Sequence, residues 1–358
     1  MAERASEDRV SILHGGGGLY MHKLIKERIV PKFKPRKRFV EIPLSLLADS
    51  AVIEEIAFTT DSYTVKPIFF PGGDIGRLSV SGTVNDLAVI GAEPLAISCA
   101  LILEEGFSLD KLDKILDSME KTAEEAGVEI ITGDTKVVEK GGIEEIMINT
   151  AGIGKRSPLL DENLRRVSKD GRSLRSRWLD PRNIKPGDKI IISGAIGEHA
   201  LAVMIAREEL GFEAPKIRSD AAPLNDLIAK ALEVGGIIAA KDPTRGGIAS
   251  LLNEWSEATG IGILIDEEKI PISGGVRAAS EILGIDPLEL ANEGKIAAVV
   301  APEYAEDVLE CMRGHKLGKD SEIVGEFTEE YDGVVVKTEI GGLRYLPMPL
   351  GDPVPRIC

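Results

Sequence analysis

From residue 188 onward the chain alternates between short apolar runs and helical segments, and that alternation confines it to a layered α/β arrangement. The runs DKIIISG, GGIIAAK, IGILIDE and KIAAVVA read as strands. Between them lie segments of helical character over about 197–210 and 220–234, then IASLLNEWSEATG and GVRAASEILG. The same interleaving holds over 40–155, where AVIEEIAFTT, VEIITGD and EEIMINTAGIG flank the helical KLDKILDSMEKTAEEAG. Two domains of ordinary size are therefore expected, at 40–155 and 188–340. Residues 1–39 carry a Gly-rich loop, HGGGG, that leads into a helix. Residues 156–187, rich in Arg, Ser, Asp and Pro, read as a linker with an exposed basic insertion. Residues 341–358 hold four prolines in LPMPLGDPVPRIC and read as a mobile, extended tail.

Several function classes are disfavoured by composition. No run approaches the roughly eighteen apolar residues of a membrane span, and the polar start MAERASEDRV does not resemble a secretory signal. A membrane partner is not expected, and the cytoplasm is. Three scattered cysteines, Cys99, Cys311 and Cys358, give neither a disulfide framework nor a zinc motif. The formal net charge of −16 argues against a nucleic-acid partner, since such affinity comes from Lys and Arg meeting phosphates. The basic runs at 32–39 and 165–177 read as solvated surface.

Gly/Asp-rich segments recur: LADSAV, TTDSYTV, FPGGDIG, TVNDLAVIGAEP, TGDTKVV and DPTRGGIAS. They put Asp49, Asp61, Asp86, Asp134 and Asp242 at strand ends or in turns, where carboxylates can share magnesium with a substrate phosphate. Asp in an ordinary turn is the competing reading for any single loop. Neither GxxxxGK[ST] nor GxGxxG occurs to name another phosphate site. In DPTRGGIASLLNEW, Gly246 and Gly247 open a helix whose apolar face is Ile248, Leu251, Leu252 and Trp255, so its free N–H groups form an anion site beside Asp242. Lys136 and Glu293 are acid/base candidates, with surface charge as the alternative. The four histidines show no ligand spacing. Cys358, closing a proline-punctuated tail, is badly placed to pack a core, so it is either incidental or a thiol that travels.

The run FTTDSYTVKPIFFPGGDIGRLSVSGTVNDLAVIGAEP, with TGDTKVV, DPTRGG, LANEGK and PRIC, resembles the HypE family of hydrogenase maturation proteins over nearly the whole chain. More distantly the loops resemble the ATP-using superfamily of aminoimidazole ribonucleotide synthase, selenophosphate synthase and thiamine monophosphate kinase. The resemblance implies a two-domain α/β (α+β) fold of that superfamily with a flexible C-terminal tail, and a homodimer joined through its N-terminal domains. It implies that Cys358 accepts a carbamoyl group from the carbamoyltransferase HypF. The carboxamide is dehydrated with ATP and Mg2+ to a thiocyanate, and cyanide passes to iron on a HypC–HypD assembly. By motif match Asp49, Asp86 and Asp242 are metal residues. Asp61, Asp134, Gly246 and Gly247 belong to the nucleotide site, and Lys136 and Glu293 lie near the reacting group. The competing readings are a small-molecule phosphoryl-transfer enzyme of the superfamily, which leaves Cys358 without a role, and a protein anchored through that cysteine, which lacks the four-residue prenylation signal.

Overall fold

A computed structural model describes residues 9–33, 39–169, 171–208, 216–354 and 356–358. Most of the basic run at 32–39 falls outside them. The N-terminal sheet consists of β1 (Val40–Ile42), β2 (Ala51–Ile53), β3 (Ile56–Tyr63), β6 (Ala92–Glu104), β7 (Glu129–Val138) and β8 (Ile146–Arg156), ordered β1-β2-β3-β8-β6-β7. A small ribbon, β4 (Phe69–Phe70) with β5 (Gly73–Asp74), precedes the helix α2 (Ile75–Val89). Asp74 caps α2 by accepting the Gly76 and Arg77 N–H groups at 2.8 and 2.9 Å. The amphipathic α3 (Leu109–Ala126) starts at Ser108 and stops at Gly127, whose φ of 68° suits glycine. Before this domain, α1 (Gly18–Lys23) runs on into a wider turn at Leu24–Ile29.

The second sheet has seven strands, β9 (Lys189–Ile192), β10 (Ile237–Lys241), β11 (Gly262–Asp266), β12 (Ala297–Val300), β13 (Glu322–Thr328), β14 (Val334–Lys337) and β15 (Leu343–Tyr345), ordered β10-β12-β9-β13-β11-β14-β15. Its helices are α5 (Glu198–Ala206), α6 (Asn225–Val234), α7 (Gly247–Thr259), α8 (Gly274–Leu283) and α9 (Ala305–Arg313). The strands and helices read from the second half all form, and α7 buries Ile248, Leu251, Leu252 and Trp255 as its spacing requires.

Several expectations change. TVNDLAVIGAEP is no loop: its first residues are the last two turns of α2, a helix buried on every side, which is why it shows no amphipathic stripe. Residues 156–187 are no exposed linker: α4 (Pro158–Val167) buries Leu160, Leu164 and Val167, and Trp178 is wholly enclosed, with the Arg156 guanidinium 4.9 Å from its ring centre. Several arginines of this segment are spent on neighbours, Arg177 on Glu41 and Glu55, Arg172 on the buried Asp188. Finally, the tail does not hang free. Residues 343–345 add β15 to the sheet, and Val354 and Ile357 are each 1% exposed.

Candidate active site

The alternation of β3 puts Ala57, Thr59, Asp61 and Tyr63 on one face, toward α2. At Gly82 of α2 a Cβ would lie 2.3 Å from the Tyr63 hydroxyl, so only glycine lets that ring approach. The hydroxyl then donates to Asp61 Oδ2 at 3.1 Å. Facing this wall are the loop after β10 and the first turn of α7, and between them lies a cavity of about 240 Å³. The end of the chain closes it: Cys358 lines the cavity.

On one side of the cavity Asp49, Asp86 and Asp242 each bring a carboxylate oxygen within 4.8 Å of the others. Burial, then Asp61, Asp242 and Asp49, push the Asp86 carboxyl well above the usual range. Asp242 is pushed up to about 8, by burial and then Asp49. Asp49 also rises through burial, against the pull of Lys241, whose Nζ is 2.7 Å from its Oδ1. Thr59 Oγ1 lies 2.6 Å from Asp86 Oδ2 and 2.9 Å from the Asp49 carbonyl. Its single hydroxyl proton is shared between these two acceptors. These oxygens are crowded, hard donors whose mutual repulsion a divalent cation would relieve, and as a donor set they fit Mg2+.

Elsewhere on the wall, Glu293 is 3% exposed and its Oε1 has no hydrogen-bond partner. Burial raises its carboxyl well above normal, with Asp242, Asp220 and Asp61 adding to the effect. Arg245 also lines the cavity. Burial pushes the Cys358 thiol up to about 12, against the pull of Arg245. The docked thiol is thus a neutral S–H group.

The tail is held by backbone pairing: Thr64 N–H donates to the Cys358 carbonyl at 3.0 Å and Lys66 N–H to the Arg356 carbonyl at 3.3 Å. At its base the N-terminal glycines fit against it. Leu19 N–H donates to the Pro349 carbonyl at 2.8 Å, and a Cβ on Gly18, which has φ +67°, would lie 2.3 Å from that oxygen.

One cavity therefore gathers Asp49, Asp61, Asp86, Asp242, Gly247, Glu293 and Cys358 from the sequence-based set. Asp134 and Lys136 are not brought there. Both sit on the edge strand β7, paired to each other at 2.7 Å with side chains 60% and 64% exposed, so Lys136 does not approach the reacting group of its own chain. The N–H groups of Gly246 and Gly247 are not free: they donate to Asp352 Oδ2 at 3.4 Å and to the Thr244 carbonyl at 3.0 Å. The sequence reading passes over Lys241 and Thr59 and gives Arg245 no role of its own, although Lys241 adjoins DPTRGG and Arg245 lies within it.

Residues 47–155 match the family model for the N-terminal domain of AIR synthase related proteins, and 185–337 match the model for the C-terminal domain. A carbamoyl dehydratase HypE of Cupriavidus necator is 42% identical over 357 residues, covering 98% of this chain and 95% of that protein. HypE in a solved HypE–HypF complex superposes with a TM-score of 0.81 at 46% identity, covering 91% of this chain and 99% of that one. The hydrogenase maturation protein HypE solved in complex with ATP gives a TM-score of 0.76 at 37% identity, covering 97% of this chain and 100% of that one. With both domain models matched and identity this high over the full length, the chain belongs to the HypE family of AIR synthase related proteins.

Proposed function

We propose that this chain is an ATP-dependent carbamoyl dehydratase that converts a carboxamide on Cys358 into a thiocyanate, the cyanide source for the iron of a hydrogenase. The observation that carries the reading is the seating of Cys358 in one cavity with three clustered carboxylates and an unpartnered, buried glutamate. A small-molecule kinase of the superfamily would have no use for that cysteine.

The carboxamide oxygen is a poor leaving group. It attacks the γ-phosphoryl group of ATP, ADP departs, and nitrogen loses one proton, leaving an imidoyl phosphate on sulfur. Loss of the second N–H proton with expulsion of phosphate forms the C≡N bond. One ATP and one carboxamide thus give ADP, phosphate and a thiocyanate, the amide oxygen leaving in the phosphate. Asp49, Asp86 and Asp242 would hold Mg2+, which supplies charge neutralisation at the phosphates. Glu293 loses part of its elevated proton affinity once the neighbouring carboxylates are neutralised, and as a carboxylate takes an N–H proton. Arg245 stabilises negative charge on the departing oxygen.

Loading takes place elsewhere. A thiol raised to about 12 is no nucleophile at neutral pH, so Cys358 attacks its carbamoyl donor only when undocked. The donor is a carbamoyltransferase of the HypF kind, and a HypC–HypD assembly is the acceptor. The edge strand β7, exposed along its length with Ile131 at 61% and Val137 at 66%, favours a homodimer joined through the N-terminal domains. Lys136 would enter the chemistry only by reaching the second copy's cavity. Among the described residues no helix is long and apolar enough to cross a membrane. Free thiols and ATP chemistry suit the reducing cytoplasm.

Phosphate release in the presence of the carbamoyl donor and its substrates, with the donor's own release subtracted, tests the function. It should be stimulated in the native chain and abolished in Cys358→Ala. Equal stimulation in both would contradict the reading.

A further inference from the structure

His199 is a buried histidine that the chemistry above does not use. It lies in the first turn of α5, is 0% exposed, and stacks edge-on against Phe70 with ring centres 5.3 Å apart. Its Nε2 is 2.9 Å from the carbonyl oxygen of Ile357, the residue before Cys358, and its Nδ1 is 2.8 Å from Ser219 Oγ. A carbonyl only accepts, so Nε2 carries the proton. Burial depresses the pKa of the ring and keeps it neutral, so Nδ1 is bare and accepts from the Ser219 hydroxyl. Ser219 Oγ in turn accepts the Ala221 N–H at 3.1 Å. The chain of bonds from Ala221 through Ser219 fixes a single tautomer, aimed at the tail.

The Thr64 and Lys66 N–H groups engage the backbone oxygens of Cys358 and Arg356, and these also accept from Thr64 Oγ1 at 3.2 Å and Arg207 Nη2 at 2.8 Å. The Ile357 carbonyl between them meets His199. The tail adopts this turn with Arg356 at φ 55°, a left-handed conformation unfavourable for a side chain that bears a Cβ. Docking is therefore held by specific bonds against a local cost, as a carrier that must also leave requires.

We propose that His199 is the positioning residue that latches the carrier tail, its Nε2–H bond to the Ile357 carbonyl setting the thiol in the cavity. The proposal rests on the reading of Cys358 as carrier. His199 does not line the cavity, and acts through the backbone one residue away from the thiol.

The test follows iodoacetamide alkylation of the full-length, unloaded protein, read on the C-terminal peptide by mass spectrometry so that Cys99 and Cys311 do not interfere. His199→Leu should expose Cys358 and speed its alkylation about 3- to 10-fold, the size of one lost hydrogen bond. His199→Gln, whose amide can donate to the same carbonyl, should restore most of the protection. Ser219→Ala should give a smaller acceleration in the same direction. Melting temperature and ATP binding serve as controls. In loaded protein the Leu variant should accept the carbamoyl group as the native chain does and dehydrate it more slowly. A folded His199→Leu variant alkylated at the native rate overturns the latch, as does a native rate in Ser219→Ala if the Leu variant does not fold. Failure of the native chain to be carbamoylated at Cys358 would instead sink the carrier reading, and alkylation would still decide the latch.

Discussion

Lys241 Nζ sits 2.7 Å from Asp49 Oδ1 and 3.3 Å from Glu254 Oε2, joining the end of β10 to the N-terminal domain. Burial disfavours the ammonium, yet Asp49 and Glu254 hold it firmly charged. The lysine offsets negative charge in a site that otherwise collects carboxylates. Lys241→Met should destabilise the metal-free protein by about 3 kcal/mol, since it leaves Asp49 buried without its partner. Added Mg2+ should recover part of the loss, and thermal melts with and without the cation would show it. An unchanged melting temperature would mean the pair contributes nothing.

The carboxylate cluster should behave in the opposite sense. Asp86→Asn and Asp242→Asn each replace a carboxyl that burial and crowding already push toward its neutral form, so the metal-free fold should be no less stable at neutral pH. Magnesium-dependent ATP binding should weaken by at least about tenfold, a single lost charge contact. Titration calorimetry alongside melting curves separates the effects, and native affinity in both variants would remove the metal role.

What the sequence revealed of this site followed from local pattern. Asp49 and Asp242 lie in loops beside strands, where Gly, Pro and Asp mark turns, and these were legible. Asp86 was found for the wrong reason: it sits on α2, which is enclosed by the sheet on one side and by α3 and α6 on others, so no polar face betrays a helix. Asp134 and Lys136 misled in the other direction. TGDTK reads as a turn, but it runs straight along β7, whose exposure on both faces erases the strand alternation. The docking of the tail was illegible because Val354 and Ile357 are buried by segments hundreds of residues away, and terminal position alone argues for solvent.

The pH dependence of docking follows from the thiol. Its pKa is about 12 when docked and about 8.5 when free in solvent. A raised value means that docking is fully favoured below about 8.5 and loses strength as pH rises toward 12. Limited proteolysis of the tail should therefore accelerate between pH 8 and pH 10 (about 1.4 kcal/mol of docking free energy per unit once the free thiol ionises). Cys358→Ser, which does not titrate there, should show no such change beyond the protease's own profile. Parallel behaviour of the two chains would place the thiol outside the cavity in solution.

The Gly18 contact gives a prediction about the base of the tail. Gly18→Ala meets both an unfavourable φ of +67° and a Cβ only 2.3 Å from the Pro349 carbonyl, so the N-terminal loop must separate from residues 349–351. Hydrogen exchange at the Leu19 amide should rise by at least about tenfold as its bond to Pro349 is lost. Native protection there would show that the loop yields without releasing the tail.

Conversion on the last residue is the centre of this mechanism, and the mass of the C-terminal peptide reads it directly. After incubation with the carbamoyl donor, the native chain should carry the intact carbamoyl group on Cys358 without ATP, and a group lighter by one water once ATP and Mg2+ are added. Glu293→Gln, with its buried proton acceptor removed, should load normally and stall at the heavier form, slowed by about 10² to 10⁴-fold. A native peptide that keeps its full carbamoyl mass in the presence of ATP would contradict dehydration on Cys358.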